Sequence, residues 1–305
     1  MHLAILSRHL LADIPSASGI EVVGDSTYVI GDNSPWLFKL NQDFQLVEQW
    51  QLTEAPAAGG TVIPKQDKAD FEAITTATWR GEKCLLIFGS GSLSPQRDTL
   101  TCIKLCQPAV AYRYTLSDFY QGLKQGAGIA DNQLNIEAAA VCRGNLLLFN
   151  RGVNFIASYA LDALIDYLTT SKPVPSPKIY AIDLPAIDGI QAGFSGAAAT
   201  PEDDYIVFTA SVENTDNWID DGAVLGSFVG LIPFSALVTE GLVTETLVTK
   251  TRPTCIPVQE NEMLLPIKIE SVAVQAAAAG NLSLLLVTDS DGGHSELLTV
   301  HLRFG

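Results

Sequence analysis

The sequence predicts an all-β chain folded as a five-bladed β-propeller, with the last blade closed by the N-terminal strand. Three observations carry the prediction. First, a short phrase recurs five times: Ser18-Gly19-Ile20-Glu21-Val22, Asp70-Phe71-Glu72-Ala73-Ile74, Asn135-Ile136-Glu137-Ala138-Ala139, Phe194-Ser195-Gly196-Ala197-Ala198 and Lys268-Ile269-Glu270-Ser271-Val272. Each copy leads through a polar turn into an apolar run, at 28–30, 85–88, 146–149, 205–208 and 284–287. Second, the copies lie roughly 54 to 75 residues apart, which is long for a single supersecondary unit and suits four-stranded blades with loop insertions. Third, residues 1–11 read as a strand with no hairpin partner nearby, while the last repeat runs out of chain after three strands. Pairing the two ends removes an open edge.

The elements follow in order. Blade one takes strands at 19–24, 27–30, 36–40 and 45–52, and blade two takes 71–78, 84–88, 100–105 and 109–114. The stretch 117–125 has helical character. Blade three takes 136–142, 146–149, 155–160 and 178–182, with a helical insertion at 161–168. Blade four takes 196–200, 205–210, 226–233 and 245–250, and blade five takes 269–275, 282–288 and 296–303. β-Branched and aromatic residues dominate these runs, as half- or fully-buried strands require. The blades span about 18–52, 70–115, 134–185, 194–252 and 267–305, the last completed by 1–11, so 1–305 is one domain.

Composition supports a large core and narrows the partners. Of 305 residues, 47% are hydrophobic and 17% charged, and the net charge is −16. Phosphate-backbone binding needs clustered lysine and arginine, so nucleic acid is excluded, and an anionic membrane surface is disfavoured on the same ground. No apolar stretch is both long and unbroken enough for a transmembrane helix, and the N-terminus lacks the basic segment and long apolar run of a signal peptide. Five cysteines, Cys84, Cys102, Cys106, Cys142 and Cys255, form no Cys-x-x-Cys pair. This usage suits free thiols in a reducing compartment, and a cytoplasmic location is expected.

In a propeller the first strand of every blade lines the axial channel. The opening residue of each repeat therefore falls at one face of the disc, beside the end of the second strand. That predicts an inner ring of Ser18, Glu72, Glu137, Ser195 and Glu270. An outer set surrounds it: Asp32, the loop Gly89-Ser90-Gly91-Ser92, Asn150-Arg151, Ser211 with Glu213, and Asp289 with Asp291. Three carboxylates near one axis repel each other and require protonation or a cation. Oxygen ligands without histidine or cysteine favour a hard ion, and a wide ring suits calcium better than magnesium. Ser18, Glu72, Glu137, Ser195 and Glu270 are the expected ligands.

These residues resemble a known family. Gly193-Phe194-Ser195 followed by Pro201-Glu202-Asp203-Asp204 and an apolar strand looks like the corresponding blade of the calcium-activated nucleotidases, the soluble apyrases. The resemblance implies a five-bladed propeller with an axial calcium, and the order Ser, Glu, Glu, Ser, Glu matches that family's ring. It implies roles for Asp32 at the end of the second strand of blade one and for Arg151 near the family's basic pair. The sequence departs from the family at Asn33, which replaces an arginine, and at Asn150-Arg151, which keeps one basic residue of two.

Three functions stay open. A calcium-dependent phosphohydrolase would use the ion and Arg151 against phosphate charge, with Asp32 or Glu213 as general base. A non-catalytic propeller would bind a small ligand or a protein partner at the same face, with structural calcium. A glycosidase would use Asp32 and Glu213 as its carboxyl pair, with Trp36 and Trp218 as sugar platforms. A small molecule at the channel mouth, such as a phosphate ester, is the expected partner.

Overall fold

A computed structural model describes residues 1–53, 63–106, 110–214, 222–237, 251–289 and 294–305. Its five four-stranded antiparallel sheets are the blades. Blade one is Ala17–Val23, Ser26–Gly31, Trp36–Leu40 and Leu46–Gln51. Blade two is Phe71–Trp79, Glu82–Gly89, Thr99–Lys104 and Val110–Thr115. Blade three is Ile136–Cys142, Asn145–Asn150, Phe155–Ala160 and Lys178–Ala181. Blade four is Gly193–Ala199, Tyr205–Asn214, Ala223–Pro233 and Thr254–Pro257. Its outer strand thus comes after the expected 245–250, which lies outside the described residues. Blade five is Ile269–Ala278, Asn281–Asp289 and Ser295–Arg303, completed by His2–Leu11. That closing strand runs antiparallel to the last one, from His2 opposite Arg303 to Leu11 opposite Ser295.

The apolar runs have no polar alternation because each blade is buried on both sides. Five hydrophobic clusters fill the five gaps between neighbouring blades. Leu85 and Ile87 face blade one, while Leu86 and Phe88 on the same strand face blade three. Leu147 and Phe149 face blade four, and Leu146 and Leu148 face blade two. Period-two side-chain alternation thus divides every middle strand between two cores. Two helices extend the gap between blades two and three. α1 (Ser117–Ala127) buries Phe119, Tyr120 and Leu123, and α2 (Leu161–Thr169) buries Leu161, Leu164 and Ile165. Tyr120 donates its hydroxyl to the Gly89 carbonyl at 2.6 Å, which ties α1 to the end of a blade-two strand.

At the axis the inner strands are too close for bulky side chains. A Cβ on Gly196 would lie 2.5 Å from Ser271 Cα and 2.8 Å from Val272 N of the next blade. Side chains staple inner strands across blades. The Ser18 hydroxyl donates to the Phe71 carbonyl, Ile20 N–H to Ser271 Oγ, Thr76 N–H to Glu21 Oε2 and Val141 N–H to Thr75 Oγ1. Among the described residues, no helix is long and apolar enough to cross a membrane.

Candidate functional site

Every inner strand carries a β-bulge near its start. The five register shifts fall between Ala17 and Gly19, Phe71 and Ala73, Ile136 and Ala138, Phe194 and Gly196, and Ile269 and Ser271. The residues left without a paired partner are Ser18, Glu72, Glu137, Ser195 and Glu270. A bulge adds one unpaired residue and re-aims its side chain. The repeat seen in the sequence is therefore a repeated backbone irregularity at one end of the channel.

The side chains there differ in role. Ser18 and Ser195 are buried, and their hydroxyls donate to Phe71 O and Thr209 Oγ1. Glu137 and Glu270 join a lattice of alternating charges that Glu72 borders. Lys68 bridges Asp32 and Asp70, with Asp70 Oδ1 at 2.7 Å. Arg97 Nη1 lies 2.6 Å from Asp70 Oδ2 and donates to Ser92 Oγ. Arg151 Nη2 lies 2.6 Å from Glu213 Oε2, and Nη1 donates to Ser211 Oγ at 3.0 Å and stands 3.8 Å from Glu137. Lys268 Nζ lies 2.9 Å from Glu270 and 3.1 Å from Glu213. Gly193 leaves room for this lattice, since a Cβ there would fall 2.5 Å from Arg151 Cγ.

Burial sets the electrostatics. It pushes the Glu72 carboxyl well above the usual range, helped by the facing carboxylates of Asp70, Glu137 and Asp32 and opposed by Lys68. Glu137 is raised by burial against the pull of Arg151 and Lys268, and Glu270 rises to about 7 for the same reason against Lys268. Burial alone would lower the Lys68 and Lys268 ammonium groups, but their carboxylate neighbours outweigh it and raise both.

A cavity of about 950 Å³ opens over this lattice, lined by Asp32, Lys68, Asp70, Glu72, Glu137, Arg151, Glu213 and Lys268 among others. Asp32, Arg151 and Glu213 thus share one cavity, as their positions in the repeat implied. Asp32 and Glu213 are each held by a cation. Asn150 is a structural residue: its side chain donates to the carbonyls of Gln133, Arg151 and Val153 and accepts from Asn135 N–H. Ser90 and Ser92 bond Asp70. Asp289 ends a blade-five strand, and Asp291 and Trp218 lie outside the described residues. Trp36 packs against the core between blades five and one. Lys68, Asp70, Arg97 and Lys268 were not singled out from the sequence. Asp70 and Lys268 stand two residues before Glu72 and Glu270, so strand alternation put both in the repeated phrases themselves.

The fit of calcium follows from these contacts. An ion bound by all five ring residues would share Glu137 with Asn135 Nδ2, which donates to its Oε1 at 2.6 Å, and Glu270 with Lys268, which lies 2.9 Å from its Oε1. Among the described residues, the acidic trio whose oxygens lie within 4.8 Å of one another is Asp32, Asp70 and Glu72. The Lys68 ammonium already bridges two of them.

Fold and site define a five-bladed propeller with a charged funnel at one channel mouth. The chain belongs to the DUF6929 family, a family of unknown function whose profile matches residues 13–302. No curated protein matches it in sequence. Among solved structures, the glutaminyl cyclase of Myxococcus xanthus is similar in fold, with 11% identity and a TM-score of 0.53 over 99% of this chain and 97% of that one. The Swd1 β-propeller domain of Myceliophteria thermophila is 9% identical, with a TM-score of 0.43 over 95% and 99% of the two chains.

Proposed function

We propose that the funnel binds a small molecule that brings a positive charge, an ammonium group, to Glu72 and Glu137. One observation carries this reading. Six carboxyls, Asp32, Asp70, Glu72, Glu137, Glu213 and Glu270, stand with five cations, Lys65, Lys68, Arg97, Arg151 and Lys268. Among the described residues Glu72 takes part in no ion pair, and Glu137 stands at 3.8 Å from its arginine. Both line the cavity. An ammonium has three donors and needs few acceptors, so two carboxyls suffice. Calcium needs six to eight oxygens, and Lys68 stands against it.

A second reading is calcium-dependent phosphohydrolysis, in which Arg151 faces phosphate charge and Asp32 or Glu213 serves as base. The trio Asp32, Asp70 and Glu72 favours it, as do five basic residues lining the cavity where the sequence pointed to one. Calorimetric titration of the chain with n-butylamine and, separately, with calcium chloride tests both. Butylamine heat without a calcium response supports the first reading; calcium binding with phosphate release from nucleoside di- and triphosphates, abolished by chelator, replaces it with the second. The fold it shares with a glutaminyl cyclase makes a peptide with an N-terminal glutamine a useful extra probe, read as ammonia release.

A further inference from the structure

Resting on the ammonium reading above, we propose that the ligand is an amine with an apolar chain, and that Leu93 and Val153 cover that chain. The two blades that supply Glu72 and Glu137 also supply these two side chains. Leu93 lies in the loop after the second strand of blade two, and Val153 in the equivalent loop of blade three. Both line the cavity that holds the two glutamates, yet they are 44% and 40% exposed. Apolar side chains left in water at the mouth of a charged funnel gain by being covered.

Both loops are built to hold these positions. Arg97 N–H donates to Leu93 O at 2.9 Å, Gly91 N–H donates to Arg97 O, and Arg97 Nη1 grips Ser92 and Asp70. Gly91 has φ +70°, and a Cβ there would meet Leu134 and Tyr120 within 2.9 Å, so the loop is packed down on α1. Val153 is fixed by Asn150 Nδ2, which donates to Val153 O at 2.9 Å and to Arg151 O at 3.0 Å. Preorganised loops lose little freedom when a ligand arrives. The volume of about 950 Å³ is far more than an ammonium group fills, and lies in the range of sites for drug-sized ligands. Carboxyls at the floor and two fixed apolar groups at the rim therefore read the two ends of one amphiphilic amine.

The test titrates the full chain with methylamine, n-butylamine and n-hexylamine, with n-hexanol as the uncharged control. Each methylene covered at the rim should tighten binding about fourfold. The variant Leu93→Ser/Val153→Ser, checked for an unchanged circular dichroism spectrum and melting temperature, should bind methylamine as the parent does and lose the chain-length dependence. Hexanol should not compete. A flat series in the parent, or a slope that survives in the variant, overturns this inference while leaving the ammonium reading standing. Failure of every amine to bind overturns both.

Discussion

Glu21 offers a test of how the inner ring is held. Its carboxylate accepts the Thr76 N–H of blade two at 3.2 Å and the adjacent Val22 N–H. Burial raises its pKa from 4.5 to about 7, against the two backbone hydrogen bonds and Lys83. The folded value lies above the unfolded one, so the native state binds the proton more tightly. The stability this contributes is complete below about pH 4.5 and is lost as pH rises through 7. The difference between the two values corresponds to at most about 3 kcal/mol, discounted for the solvent contact the side chain keeps. Glu21→Gln keeps an acceptor for Thr76 and cannot ionise. Urea unfolding of parent and variant at pH 4.5 and pH 8 isolates this group, since the other carboxyls are common to both. The variant should gain up to about 3 kcal/mol on the parent between the two conditions. A difference that stays constant with pH would refute the claim that Glu21 is buried between blades at a cost when charged.

Three further outcomes follow from the same geometry. Gly196→Ala drives a methyl into the backbone of blade five and should cost about 1–3 kcal/mol or more, read as a lowered melting temperature. Ser18→Ala removes the donor to the buried Phe71 carbonyl and should cost about 1–3 kcal/mol in urea unfolding. Deleting residues 1–11 removes the strand paired from His2 to Leu11 and uncovers the edge of Ser295–Arg303, and size-exclusion chromatography should show self-association.

The fold was legible because propeller blades write themselves plainly. Runs such as Leu146-Leu147-Leu148-Phe149, apolar without alternation, require burial on both faces, and the unpaired first segment supplied the missing strand of blade five. The end of blade four was less legible: the expected strand at 245–250 lies outside the described residues, and Thr254–Pro257, which the sequence reading did not single out, pairs as the outer strand. At the site, the positions of Glu72, Glu137 and Glu270 follow from period and repeat. Their partners do not. Lys68 and Arg97 reach Asp70 from loops whose paths no local pattern gives, and a net charge of −16 hid the concentration of cations at one mouth. The bulges that aim the five ring residues are equally silent in sequence, because a bulge changes pairing and leaves residue type free.

The most direct measurement of the central claim is the affinity for n-butylamine of the parent, Glu72→Gln, Glu137→Gln and the double variant, by calorimetry at one pH. Each carboxylate that accepts from an ammonium is worth about 1.5–3 kcal/mol, so each single change should weaken binding about 10- to 100-fold, and the double variant should show no heat. Undiminished affinity in the double variant would contradict the account.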